Sequence, residues 1–155
     1  MKGNADVVRV LQDVLKAELT AINQYFVHAE MCENWGYMKL SQHTKKEAIA
    51  EMKHAEALIE RILFLEATPN VSDYFKINIG DSVQKQLAND VALEYDAVKR
   101  LNEGIKVAVQ HGDNGSRDLL QKILDEEEDH VDHLEAQLQM IQDMGIGLYL
   151  SQQGG

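Results

Sequence analysis

At 155 residues, 45% of them hydrophobic, the chain can bury one core and is too short for two comfortable domains, so a single domain is expected over residues 1–155. A formal charge of −11, from 15 basic against 26 acidic residues, would repel nucleic-acid phosphates. No apolar run approaches the roughly 18 residues that span a membrane, and "MKGNADVVRV" lacks the hydrophobic region of a signal peptide, so a cytoplasmic protein with no membrane association is expected.

One proline, 6% aromatics and abundant Ala, Leu, Glu, Lys and Gln favour an all-α fold. Helical periodicity runs over about residues 5–35, 38–66, 83–111 and 116–144, with breaks at "NWGY", "ATPNVSDYFKINIGDS" and "HGDNGS". Each segment would be a rod of roughly 42 Å at 1.5 Å per residue. The short first and third connections imply antiparallel pairs, and the long middle one can run the length of a bundle, making the second and third helices parallel. The tail "GIGLYLSQQGG" adds a short fifth helix. The expected architecture is a four-helix bundle with one long crossover.

The first helix carries Val8, Leu11, Leu15, Ile22, Tyr25 and Ala29 on one stripe, interrupted by Glu18. In the second, Thr44, Ala48, Ala55, Leu58, Ile62 and Leu65 are interrupted by Glu51; in the third, Val83, Leu87, Val91, Val98, Leu101 and Ile105 by Glu94. The fourth stripe, Leu120, Leu124, Val131, Leu134, Leu138 and Ile141, is interrupted by Glu127. Two of these glutamates open a Glu-x-x-His pair, Glu51 with His54 and Glu127 with His130, and a spacing of three puts the two side chains on one helix face. Glu18 to Glu51 and Glu94 to Glu127 are each 33 residues, and Glu18 to Glu94, Glu51 to Glu127 and His54 to His130 are each 76. The two halves are therefore pseudo-equivalent hairpins.

Four unpaired carboxylates in an apolar core would cost several kcal/mol apiece. No Lys or Arg lies on the four stripes, whereas two divalent cations balance four negative charges and two neutral imidazoles complete their shells. Carboxylates with imidazoles suit iron first and manganese second; zinc more often takes a mononuclear set with Cys or three His. The single cysteine, Cys32, sets no chemistry and is expected as a reduced, partly buried thiol.

The segments "KAELTAINQYF", "EMKHAEALIERILFLE", "NIG" and "DEEEDHVDHLE" resemble those of the bacterioferritin family at matching positions, and the resemblance extends over essentially the whole chain. It implies a ferritin-like bundle and a cytoplasmic shell of 24 subunits, built from twofold dimers, that oxidises Fe2+ with oxygen or peroxide at intrasubunit di-iron sites and stores the ferric mineral. Carried over residue by residue, it makes Glu18, Glu51, His54, Glu94, Glu127 and His130 the ferroxidase ligands, with Glu51 and Glu127 bridging. It also implies that Met52 ligates a non-covalent b-type haem shared at a twofold interface, with a ferredoxin-like protein as candidate reductant. Met52 lies 100° around the helix from Glu51, off the bundle-facing stripe, and Leu19, Ile22, Asn23, Phe26 and Ile49 lie on adjoining faces that would wall the ring. On its residues alone Met52 reads equally as interface packing.

Tyr25, two turns from Glu18, reads either as a hydrogen-bonded core residue or as a redox neighbour of the iron pair. Some family members carry His and Asp at positions 46 and 50 as an extra iron site; this chain has Lys46 and Ala50. His133, where some members have an aromatic, is expected to face outward, and His28, His43 and His111 to lie on the surface. Two other classes fit the same residues: a haem-carrying electron-transfer or binding protein with a structural carboxylate cluster, and a di-manganese catalase-like or di-iron oxidase without storage.

Overall fold

The computed structural model describes residues 1–154; Gly155, the last residue of the expected domain, lies outside the described residues. Four long helices, α1 (Ala5–Asn34), α2 (Met38–Phe64), α3 (Val83–Gln110) and α4 (Asn114–Met144), precede the short α5 (Ile146–Ser151), and there is no strand among the described residues. Helix α1 packs chiefly against α2 and α3 against α4, with α1 also meeting α3. This is the expected bundle of two hairpins joined by a crossover over 65–82, and the expected fifth helix is present. The helix starts are set by side-chain caps: Asn4 accepts from Asp6 N and Val7 N, Ser82 from Lys85 N, and Asp113 from Ser116 N. Arg61 of α2 reaches that last cap, donating to Asp113 at 2.8 Å and to Ser116 Oγ at 3.0 Å, and so ties one end of the two hairpins together. Where α3 packs on α1 at Val10, a Cβ on Gly104 would meet Val10 Cγ1 at 2.6 Å, so only glycine fits without displacement.

The apolar interior is split. One cluster, centred on Leu11, Leu15, Leu58, Ile62, Leu101, Leu120 and Leu124, fills one end of the bundle; a second, around Leu40, Leu87, Ile141 and Tyr149 with the buried thiol of Cys32, fills the other. Between them lie the four stripe glutamates, none more than 2% exposed. The stripe of α1 is shifted at its start, where Val7 rather than Val8 is fully buried. Along α4, Val131, Leu134 and Leu138 are only half-buried.

The crossover is an extended strap, and its backbone must find partners without a neighbouring strand. Side chains of α1 supply them at intervals along the helix. Asn70 N donates to Gln12 Oε1 (2.9 Å), Phe75 N to Thr20 Oγ1 (2.9 Å), Asn78 N to Gln24 Oε1 (3.0 Å) and Gly80 N to His28 Nε2 (3.0 Å). The Phe75 ring sits between Lys16 and Arg100, each with its cation 4.3 Å from the ring centroid. His28 is therefore not the surface residue the sequence suggested. It is 1% exposed, accepts from the strap at Nε2, and so carries its proton on Nδ1, which meets Asp90 Oδ1 at 2.9 Å. Gln24 completes this knot by donating to the same Asp90 oxygen at 2.8 Å.

Gln24→Leu removes a partner from two groups in this knot, the Asn78 N–H and the Asp90 carboxylate. It should cost about 2–4 kcal/mol, read as a lower denaturation midpoint, and should raise hydrogen exchange at Asn78 and Gly80. Unchanged exchange there would show that the strap is held by its aromatic clamp instead.

Candidate metal centre

Each helix delivers one glutamate to the bundle centre because one position of its apolar stripe is acidic, and α2 and α4 each add a histidine one turn further on. The structure brings Glu18, Glu51, Glu94, Glu127, His54 and His130 together. Their atoms fall into two groups, Glu18–Glu51–His54–Glu127 and Glu51–Glu94–Glu127–His130, and within each group the candidate ligand atoms lie within 4.8 Å of one another. Glu51 and Glu127 belong to both. His54 Nδ1 lies 3.4 Å from Glu18 Oε2, 3.7 Å from Glu51 Oε2 and 3.4 Å from Glu127 Oε1. His130 Nδ1 lies 3.1 Å from Glu51 Oε1, 3.7 Å from Glu94 Oε1 and 3.5 Å from Glu127 Oε1. Glu18 Oε2, both oxygens of Glu51, Glu94 Oε2, Glu127 Oε1 and the Nδ1 atoms of both histidines are buried without a hydrogen-bond partner. Buried polar atoms converging in this way are a donor set suited to two divalent ions, with two shared carboxylates.

In the metal-free cluster the charges are accommodated by protons. Burial, followed by the neighbouring charges of Glu51 and Glu94, holds the Glu127 carboxyl well above the usual range, and burial also raises Glu94. Against burial, the nearby imidazoles of His130 and His54 keep Glu51 low. Also against burial, the surrounding carboxylates of Glu47, Glu51 and Glu94 push His130 up to about 12, and those of Glu51 and Glu126 raise His54.

Tyr25 is buried beside the cluster and donates its hydroxyl proton to Glu94 Oε1; burial, then the charges of Glu94 and Asp90, raise the phenol far above its ordinary value. Two carboxylates that the stripes did not mark also touch the cluster. Glu47 meets His130 Nε2 and Glu126 meets His54 Nε2. Both lie off the apolar stripes of their helices, where a carboxylate reads as solvated surface; the only signal was that each falls on the seam between α2 and α4. His133 is half-buried rather than outward, stacking on His43 with ring centroids 3.7 Å apart, and His43 Nε2 lies 3.0 Å from Glu47 Oε1. His111 is partly exposed and lies 3.5 Å from Asp6.

Met52, Phe26 and Ile49 are not part of this centre. They are 49%, 42% and 45% exposed on α1 and α2, with Leu19 and Ile22 half-buried and Asn23 exposed on α1. No helix is long and apolar enough to cross a membrane among the described residues.

The ferritin-like domain family profile matches residues 8–144. The chain is 43% identical over 152 residues to a bacterioferritin of Mycobacterium bovis, covering 98% of this chain and 96% of the relative. It is 42% identical over 151 residues to a bacterioferritin of Streptomyces coelicolor, covering 97% and 90%. It is 44% identical over 154 residues to a bacterial ferritin of Synechocystis sp., covering 99% of each chain.

Divalent ions entering this centre must displace the protons held by Glu94, Glu127, His54 and His130, whose proton affinities are raised in the metal-free cluster. Binding should therefore release protons and tighten as pH rises. Calorimetry of Zn2+ binding in buffers of different ionisation enthalpy checks this, and an affinity independent of pH would contradict it.

Proposed function

Because the chain belongs to the bacterioferritin family, we propose that this single-domain protein is an iron-storage ferroxidase. Two Fe2+ ions bind per chain as substrate, each gives one electron to oxygen or peroxide, and the ferric product is stored as mineral inside a cytosolic shell of 24 chains built from twofold dimers. The observation that carries this reading is the pair of buried ligand groups sharing Glu51 and Glu127. On this reading Glu18 and His54 would complete one position, Glu94 and His130 the other, and Glu51 and Glu127 would serve both. A pair of ions held by common bridges can deliver two electrons to one oxidant molecule. Tyr25, bonded to Glu94, stands next to one ion as a hydrogen-bond donor and redox neighbour.

The exposed apolar side chains on α1 and α2 fit the second half of the proposal. An isologous dimer presents the same methionine twice across its axis, so the two copies of Met52 would together hold a non-covalent b-type haem through their thioether sulfurs. Leu19, Ile22, Asn23, Phe26 and Ile49 would wall the ring, and "Cys-x-x-Cys-His", the covalent attachment motif, does not occur in the sequence. Haem bound there would carry electrons from a ferredoxin-like protein towards stored iron.

Glu127→Ala should slow Fe2+ oxidation more than Glu18→Ala or Glu94→Ala, each of which should cost about 10–100-fold, because a lost bridge affects both positions. Stopped-flow absorbance on intact shells tests the ordering, and wild-type rates would defeat the ligand assignment. Met52→Leu keeps volume at a cost under about 1.5 kcal/mol, so the shell should assemble without haem and still oxidise Fe2+. Retention of the full haem spectrum would return Met52 to a packing role.

A further inference from the structure

We propose that the recess between the crossover strap and α3 binds a phosphate-class oxyanion, held by Arg100 of α3 and Lys76 of the strap. Its walls come from α1, the strap and α3, and none of the six residues of the metal centre takes part.

The recess holds about 210 Å³, against the roughly 10–15 Å³ that one water needs, so a tetrahedral oxyanion fits with water beside it. Its polar floor is already spent within the protein. Thr20 Oγ1 donates to Lys16 O and accepts from Phe75 N, while Gln24 serves both Asn78 N and Asp90. Asn89 Nδ2 donates to Asn78 O at 3.2 Å. What the recess leaves unanswered is cationic. Among the described residues, Arg100 and Lys76 line it against a single carboxylate, Asp96, which makes it a positive island on a chain of net charge −11.

Arg100 carries the inference. Asp96 stands four residues before it and Glu103 three after it on α3, spacings at which a carboxylate ordinarily pairs with an arginine. Yet no carboxylate among the described residues lies within 4.0 Å of the guanidinium, although Asp96, Asp13 and Glu103 all act on it through space. The ring of Phe75 takes it instead, with the guanidinium carbon 4.3 Å from the ring centroid. Stacking engages the flat face of the guanidinium and leaves the in-plane N–H donors without an acceptor from the protein. Burial, outweighing those carboxylates, holds the group below its ordinary value, so its charge is incompletely compensated where it sits. A fork of donors on a half-buried cation suits two oxygens of one phosphate, and Lys76 adds a point charge from the strap. An anion bound to both ties the strap to α3.

Calorimetric titration of the metal-stripped protein with inorganic phosphate, and separately with glycerol 3-phosphate, tests this at low ionic strength with no iron present to bind the anion. One anion per chain is expected, together with slower hydrogen exchange over residues 75–78 when it is bound. Tighter binding of inorganic phosphate would identify the free ion as the ligand, and tighter binding of the monoester a phosphorylated small molecule. Arg100→Gln should weaken binding about 10–100-fold. Asp96→Asn, which removes the one opposing charge on the wall, should strengthen it about two- to fivefold. Helical circular dichroism and particle size should be unchanged in both variants. The absence of saturable binding, an affinity unaltered by Arg100→Gln, or strap exchange indifferent to phosphate would overturn the proposal, and none of these outcomes bears on the metal centre.

Discussion

Four carboxylates buried with two imidazoles between two apolar clusters are cut off from water and repel one another, and the bundle is organised around that conflict. Isolated ionised carboxylates would be forced to protonate, which is the direction in which burial and their neighbours move Glu94 and Glu127. The neutralising charge can therefore be supplied by protons or by cations. Such a centre is a poor source of fold stability, so stability must come from the ends of the bundle, where the leucine-rich cluster and the Arg61 tie at one end and the Tyr149 cluster at the other are unaffected by what the centre holds.

The strap has the same logic on the other side of α1. Its backbone donors are answered by Gln12, Thr20, Gln24 and His28, and through Gln24 and His28 the strap is bonded to Asp90 of α3. Asp90 lines a small interior cavity with Tyr25, Glu47 and His130. The crossover is thus more than a tether between hairpins. It fixes α1 against α3 one turn from Glu94, the carboxylate that Tyr25 holds, and in doing so sets the separation of Glu18 from Glu94 across the bundle.

The fold and the six central residues were legible because burial leaves a periodic record. Once Glu18, Glu51, Glu94 and Glu127 each replace an apolar residue at stripe positions 33 and 76 residues apart, few other arrangements remain. The positions of Glu47 and Glu126 were not legible, because no periodicity marks a carboxylate that meets a buried histidine from its far side. Pseudo-symmetry also fails there: 76 residues on from Glu47 is Ile123, and 76 before Glu126 is Ala50. His28 was misplaced for a related reason. Its partner is a loop N–H, and loops have no pattern from which a buried acceptor on a neighbouring helix can be inferred.

The same broken symmetry shapes the approach to the centre. The recess on the α2–α4 seam beside His54 is lined by Lys46, Ile49, Ala50, Lys53, Glu126, Asp129 and His130. Two lysines there offset two carboxylates, so the recess exerts little net attraction on a dication, in contrast to a seam carrying His and Asp at positions 46 and 50. Attraction then comes from the buried glutamates behind it, which act over short range because intervening water and counter-charges screen them. An ion passing this way meets Glu126 first and His54 next, the exposed carboxylate and the ring it orients. The carboxylate nearest solvent on this seam, Glu126, is thus the one hydrogen-bonded to a cluster histidine, whereas Glu47 Oε2 and His43 Nε2 on the far side of His130 are buried without a hydrogen-bond partner.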